Sequence, residues 1–246
     1  MNLSVVIQGP ILPFTKDGIA SVRKCFPGAE VILSTWKNED VYGLEPDKMI
    51  QLEDPGPGLK RNNAARQIIG SLAGLKEAKN EMAMRTRSDA IFLSPGCMDH
   101  WGKYPKRVDD FRIFKERLVV PNIGTCDPEN HCVSLQVTEW AILGLLEDLV
   151  FLYDILPFEG NATEKSLEQY LWISAIQKKI PEIDVPYLTY NDERTRDWTR
   201  RFMANNVVIL NTFEQYRMYC GKWKHVPDDE TVTMKHAKWR TWYDAL

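Results

Sequence analysis

The sequence predicts an α/β domain, with a mixed, mostly parallel sheet and helices on both faces. Three observations carry that expectation. Residues 3–7 and 30–35 are apolar runs rich in β-branched residues, the pattern of strands buried on both faces. Helical periodicity separates such runs in the order strand, helix, strand, strand, helix, strand, which is how crossover units are written. The 246 residues are 44% hydrophobic and 26% charged, an ordinary balance for a folded domain with a sizeable core.

The first strand, residues 3–7, stops at Gln8-Gly9-Pro10. A helix around residues 18–25 ends at Pro27-Gly28, and residues 30–35 form the second strand. A short third strand is expected at 49–52, followed by the loop Asp54-Pro55-Gly56-Pro57-Gly58. Leu59, Ala64, Ile68, Leu72 and Leu75 fall at helical spacing and predict a long helix over 59–78. A strand near 82–86 then runs into Asp89. Further on, 118–120 and 131–137 read as strands, and 140–152 and 164–178 as amphipathic helices. Residues 207–210 read as a late strand and 212–220 as a helix. The tail from Trp223 has no clear period.

Composition excludes several classes. With 31 basic and 34 acidic residues the net charge is −3, without the basic excess of a nucleic-acid binder. Five cysteines, an odd number with no CxxC, argue against a disulfide framework or a structural zinc and favour a reducing compartment. The first residues lack the basic region of a signal peptide, and no apolar run reaches the roughly 18 residues of a spanning helix. The expected location is cytoplasmic, or peripheral on the inner face of a membrane. Trp223, Lys224, Lys235, His236, Lys238, Trp239, Arg240 and Trp242 interleave basic and aromatic groups, which suits an anionic membrane surface. The motifs GxxxxGK[ST], GxSxG and HExxH are absent, as is GxGxxG after the first strand.

Ligands of parallel sheets bind beyond the carboxyl ends of the strands. Here those ends carry Gln8-Gly9-Pro10, Ser34-Thr35-Trp36 and Arg87-Ser88-Asp89, all polar. In Arg85-Thr86-Arg87-Ser88-Asp89, a lone carboxylate stands by two arginines. It could hold a divalent cation while the arginines meet phosphate oxygens, or form a plain ion pair at a strand end. Asn62 and Arg66, four apart at the start of the long helix, suit a nucleobase or a diphosphate. The charged run over 192–201 reads as a solvated loop and helix, or as a loop whose arginines close over a diphosphate.

Read in order, Val5 through Ile11, Phe26 through Trp36, Arg61-Asn62-Asn63 with Arg66-Gln67, and Arg85 through Asp89 resemble the WavE lipopolysaccharide-synthesis family. Thr138-Glu139-Trp140 with Gly144 resembles that family's Asp-Trp motif, and Leu167-Glu168-Gln169-Tyr170-Leu171 its Glu-Gln-Tyr-Leu helix. The match runs from about Asn2 to about Leu210. The resemblance implies a sugar transferase of the GT-A fold. It would take a nucleotide-sugar donor and a glycan or lipid-linked acceptor in cell-surface polysaccharide or lipopolysaccharide assembly. It also implies one domain over 1–246, with a nucleotide-sugar-binding half (1–95), an acceptor-binding half (96–222) and a tail (223–246).

The resemblance implies donor contacts from Gln8, Gly9, Pro10, Ser34, Thr35, Trp36, Arg61, Asn62, Arg66, Arg85, Arg87 and Asp89. GT-A enzymes commonly hold manganese or magnesium with Asp-x-Asp. The corresponding place reads Arg87-Ser88-Asp89, so Asp89 is the one carboxylate ligand there, with His225 in a late segment as a further candidate. The arginines could neutralise the leaving diphosphate instead. Inverting transfer needs a carboxylate to accept the acceptor hydroxyl's proton. Glu139, expected after a strand at the start of a helix, and Glu168, inside a helix, are the candidates. The single aspartate also allows a catalytically silent glycan-binding or scaffolding subunit. A sugar-phosphate nucleotidyltransferase would need a Gly-Gly loop that Gln8-Gly9-Pro10 lacks.

Overall fold

The computed structural model describes residues 2–57, 63–130, 133–156, 166–186, 190–221 and 233–246. In chain order the elements are β1 (Leu3–Gln8), α1 (Thr15–Cys25), β2 (Glu30–Trp36), β3 (Lys48–Leu52), α2 (Ala64–Lys76), β4 (Met82–Arg87) and β5 (Ala90–Phe92). There follow β6 (Leu118–Pro121), β7 (Ala141–Leu145), α3 (Leu146–Tyr153), α4 (Leu167–Gln177), α5 (Glu193–Asn206), β8 (Val207–Leu210), β9 (Met218–Cys220) and α6 (His236–Asp244).

Seven strands form one sheet in the order β3-β2-β1-β4-β7-β6-β8, and β5 pairs with β9 in a second. The β1–β2, β1–β4, β2–β3 and β6–β8 pairs are parallel. The β4–β7 and β6–β7 pairs are antiparallel. Among the described strands only β7 therefore runs against its sheet, and the carboxyl ends of the other six open on one edge. The expected α/β class is what the chain forms. Every residue of β1 and β2 is buried, as continuous apolar runs demand, while β3 alternates as an edge strand does.

From β1 the chain steps one way to β2, and from β3 it returns past β1 to β4. Right-handed crossovers then put α1 and α2 on opposite faces. The order reverses between β1 and β4, which makes that crevice the switch point where such sheets bind ligands. α2 lies close on the sheet because Gly74 faces Val6. A Cβ at Gly74 would sit 2.3 Å from Val6 Cγ1.

The second half departs from the periodicity. Residues 140–152 are not one helix but the end of a loop, then β7 and α3. Ala141, Ile142, Leu143 and Gly144 are all buried, and a short run of that kind carries no period to tell strand from helix. Gly144 admits β6 closely, since a Cβ there would lie 2.3 Å from Leu118 Cδ2. Residues 133–137 form no strand. Side chains take their backbone groups instead, with Leu135 N–H donating to Thr199 Oγ1 at 3.0 Å and Gln169 Nε2 donating to Ser134 O at 2.8 Å. Over 212–220 the helix is a single wide turn, Thr212–Tyr216, ended by Arg217 at φ 62° and followed by β9. The predicted helix over 59–78 is α2, with 59–62 outside the described residues.

The tail folds back. Trp239 of α6 is fully buried and its Nε1 donates to Met203 O at 3.0 Å. Lys238 pairs with Asp127 and Glu129, and Arg240 with Asp244. Trp239 is thus spent on the core rather than on a surface; Trp223 and Lys224 lie outside the described residues. Among the described residues no helix is long and apolar enough to cross a membrane.

Candidate active site

A cavity of about 370 Å³ opens at the carboxyl edge, between the ends of β1 and β4 and the start of α2. That is an ordinary volume for a small-molecule site. Its floor depends on Gly9, which sits at φ 140°, where side chains are disfavoured. A Cβ there would also lie 2.6 Å from Ser88 Oγ. Gly9 N–H donates to Ser34 O at 3.1 Å and Ser88 N–H to Gln8 O at 3.0 Å, so the three strand ends are laced together.

Of the residues expected at the donor, Gln8, Gly9, Pro10, Trp36, Arg66, Arg87 and Asp89 line this cavity. Ser34 and Thr35 lie beneath it, fully buried, with Ser34 Oγ donating to Gly70 O at 2.7 Å. Arg85 is also fully buried and does not line it. Arg61 and Asn62 lie outside the described residues. Leu12, Glu39, Asp54, Asn63 and Gln67 join the wall without having been expected as donor contacts. Asn63 and Gln67 flank the Asn62/Arg66 pair, which was the available signal. Glu39 and Asp54 follow strand ends in loops without a pattern. The arginines of residues 192–201 lie in α5, opened by the Asp192/Thr195 capping box, and none lines the cavity.

Charge is matched pair by pair. Arg66 grips Asp54 through Nε and Nη2, which holds the Asp54 carboxyl below its usual range. Arg87 grips Asp89 likewise, with Nε to Oδ1 at 2.9 Å and Nη2 to Oδ2 at 3.1 Å. Cys220 Sγ–H adds a bond to Asp89 Oδ2 at 2.8 Å. Burial alone would raise the Asp89 pKa; the guanidinium outweighs it and the carboxyl is held below its usual range. Arg87 lies 4.9 Å over the Trp140 ring, keeps 28% of its side chain exposed, and reaches 3.7 Å from Glu139 Oε1.

The two candidate bases are neighbours in differing surroundings. Glu139 precedes β7, not a helix as expected, and is buried against Arg85, whose Nη1 reaches its Oε2 at 2.5 Å. Glu168 occupies the first turn of α4 behind the Ser166 cap. α4 is tied beside Glu139 by Gln169 on Ser134 and by Trp172 Nε1 donating to Val137 O at 2.7 Å. Burial first, then the charge of Glu139, push the half-buried Glu168 carboxyl up to about 7. The helix start, Ser166 and Arg87 oppose that rise.

Residues 3–244 match the family described as WavE lipopolysaccharide synthesis. The chain belongs to the WavE family. No curated protein sequence matches it. Among solved structures it is similar to the mannosyltransferase PcManGT from Pyrobaculum calidifontis in complex with GDP-Man and Mn2+, at 10% identity and a TM-score of 0.45, over 83% of this chain and 61% of that one. It is also similar to S. aureus TarS 1–349, at 16% identity and a TM-score of 0.44, over 83% and 71% of the two chains. The same TarS piece in complex with UDP-GlcNAc gives 17% identity and a TM-score of 0.41, over 72% and 53%. The chain thus spans about three-fifths of the mannosyltransferase's length.

In this WavE chain the motif residues gather at one place: Glu139 and Trp140 against Arg85 and Arg87, and Glu168 beside them. A divalent cation needs several open oxygen ligands. Both Asp89 oxygens are engaged by Arg87 and Cys220, and the side chain is 1% exposed. Among the described residues no three His, Cys, Asp or Glu side chains converge. The described donor set does not fit a cation at Asp89 in this arrangement. His225 lies outside the described residues.

Proposed function

We propose that this WavE chain is a nucleotide-sugar-dependent glycosyltransferase of cell-surface glycan synthesis, acting on a glycan or glycolipid acceptor. The observation that carries the reading is the juxtaposition at the switch point. A cavity of about 370 Å³ has the Arg87 guanidinium in its wall, and Glu168, outside the lining with Glu139, feels that guanidinium while its carboxyl is pushed up to about 7. Membership in a lipopolysaccharide-synthesis family supports the pathway class.

In this reading the nucleoside stacks toward Trp36 and Leu12, and the diphosphate lies between Arg87 and the start of α2. That helix start carries no acidic residue and no side-chain cap, so its N–H groups and dipole favour an anion. Negative charge gathers on the diphosphate as the bond to the sugar breaks, and Arg87 is there to meet it. Glu168 accepts the proton of the acceptor hydroxyl as the new bond forms. A general base works best with a pKa near the working pH. The charge of Glu139 beside it helps to keep Glu168 basic. No step is assigned to manganese or magnesium. Residues 1–95 then serve the donor, 96–222 the acceptor, and the site of action is the cytoplasmic face of a membrane.

The test is a panel of UDP-, GDP-, dTDP- and CMP-sugars. A true donor at one hundred times its Kd stabilises the fold by about 2.7 kcal/mol, and is slowly hydrolysed. If none stabilises the chain and none is hydrolysed, the reading fails. Glycan binding without donor binding would favour a silent subunit instead.

A further inference from the structure

Arg85 stands two residues before Arg87 on β4 but does not reach the cavity. Its side chain is 0% exposed. A buried guanidinium is tolerated when its donors are met, and these are. Nε donates to Ser71 Oγ at 2.8 Å, and Nη1 to the side chain and carbonyl of Glu139. Nη2 donates to Gln8 Oε1 at 2.8 Å and to Gln67 Oε1 at 3.2 Å. The Tyr153 ring lies 5.5 Å from the guanidinium carbon. Stability gives little reason for such a group, since apolar residues of similar volume often serve a core as well or better.

What Arg85 touches gives a better reason. Gln8 from β1 and Gln67 from α2 both line the cavity, and Glu139 stands beside Arg87. An amide has an oxygen end and an NH2 end. With both amide oxygens turned back onto Arg85, the Gln8 NH2 donates across the crevice to Arg66 O at 3.4 Å, and the Gln67 NH2 is the end left toward the ligand side, which suits an oxygen-rich anion. Resting on the transferase reading above, we propose that Arg85 is a positioning residue. From inside the core it turns the Gln67 amide into a donor facing the nucleotide diphosphate, holds Gln8 so that it braces the start of α2 at Arg66, and fixes Glu139 beside the base. One guanidinium thereby aligns the donor cavity with the carboxylates that meet the acceptor.

Three variants test this, each read by thermal unfolding, by UDP and GDP affinity, and by the pH dependence of turnover. Arg85→Lys keeps the charge but cannot span five acceptor atoms on four residues. Nucleotide affinity should fall about tenfold, with the pH midpoint unmoved. Arg85→Met removes the charge as well. The groups facing Glu168 are Glu139, Arg87, Tyr153 and the Ser166 cap; Arg85 acts on it through its pairing with Glu139, so losing this cation should move the midpoint by about one unit from the wild-type value. Ser71→Ala guards against misfolding of these variants. It lies outside the cavity and frees one arm of the guanidinium, and affinity should fall about threefold in a chain that still folds. If all variants keep the wild-type affinity and midpoint in their folded fraction, Arg85 is only a core group and the proposal is overturned. If the wild-type chain itself binds no nucleotide, the transferase reading fails first and takes this proposal with it.

Discussion

The two ends of the seven-stranded sheet are built by different rules. On the β3-β2-β1-β4 side each strand is followed by its own helix or loop, all pairings are parallel, and the strand ends carry polar groups into the cavity. On the β7-β6-β8 side one strand runs backwards, and distant side chains satisfy the backbone: Asn206 accepts from Ile113 N–H, Asn122 from Thr212 N–H and Thr199 from Leu135 N–H. The first side presents chemistry. The second binds α4, α5 and α6 into one packed body and sets Glu168 against Glu139. The contrast teaches that stability and chemistry are separable here, and substitutions should pull them apart.

The largest effect is expected at the junction of the two sides. Glu168→Gln should lower turnover by about 10²–10⁴-fold, the range for a lost general base, as read by single-turnover transfer. Its effect on stability runs the other way. Glu168 has its pKa raised from 4.5 to about 7, so between those values the folded chain holds a proton that the unfolded chain has lost. Stability therefore falls as pH rises through that window, and turnover rises. The amide removes the penalty. The variant should melt about 2–4 °C higher than wild type above pH 7, and show no gain below pH 4. Equal melting of the two at pH 8 would contradict the half-buried, raised carboxyl.

Arg87→Lys probes the cavity side. The charge stays and the fork on Asp89 is lost, so nucleotide affinity should drop about tenfold or more while unfolding changes by about 1 kcal/mol. Trp239→Ala probes the far side. Emptying a fully buried indole and orphaning Met203 O should cost about 3–5 kcal/mol in urea unfolding. Affinity per folded molecule should stay at the wild-type value. A variant that lost affinity at full stability would break the separation. The smallest effect belongs to Arg240→Ala, which removes a solvent-screened pair with Asp244 four residues on and should leave the urea midpoint close to that of wild type.

The same contrast decides what the sequence reveals. β1, α1, β2, β3, α2 and β4 follow from local pattern, because each buries one face or both against its neighbours in chain order. The strand ends of the cavity follow too, since a parallel sheet must bring them together. β7 was hidden because Ala141-Ile142-Leu143-Gly144-Leu145 is apolar throughout and lacks any period. The 133–137 segment alternates like a strand, yet Thr199 and Gln169 from two later helices take its backbone groups. No local signal could announce partners 35 to 64 residues away. Among site residues, Arg87 and Arg85 look alike in sequence. Depth alone makes one a cavity wall and the other a core hub, and depth was set by Glu139, Gln67 and Ser71 on three other segments.

The central claim is that the donor lies at the carboxyl edge between β1 and β4. A second cavity, of about 520 Å³, lies at the opposite end of the strands, beside Arg23, Glu30, Asp47 and Lys79. A crystal structure of the chain with the nucleotide-sugar that stabilises it most tests the claim directly. The account predicts the diphosphate between Arg87 and the start of α2, with the Gln67 amide turned toward it. A nucleotide seated beside Arg23 and Lys79, or anywhere away from Arg87, would contradict it.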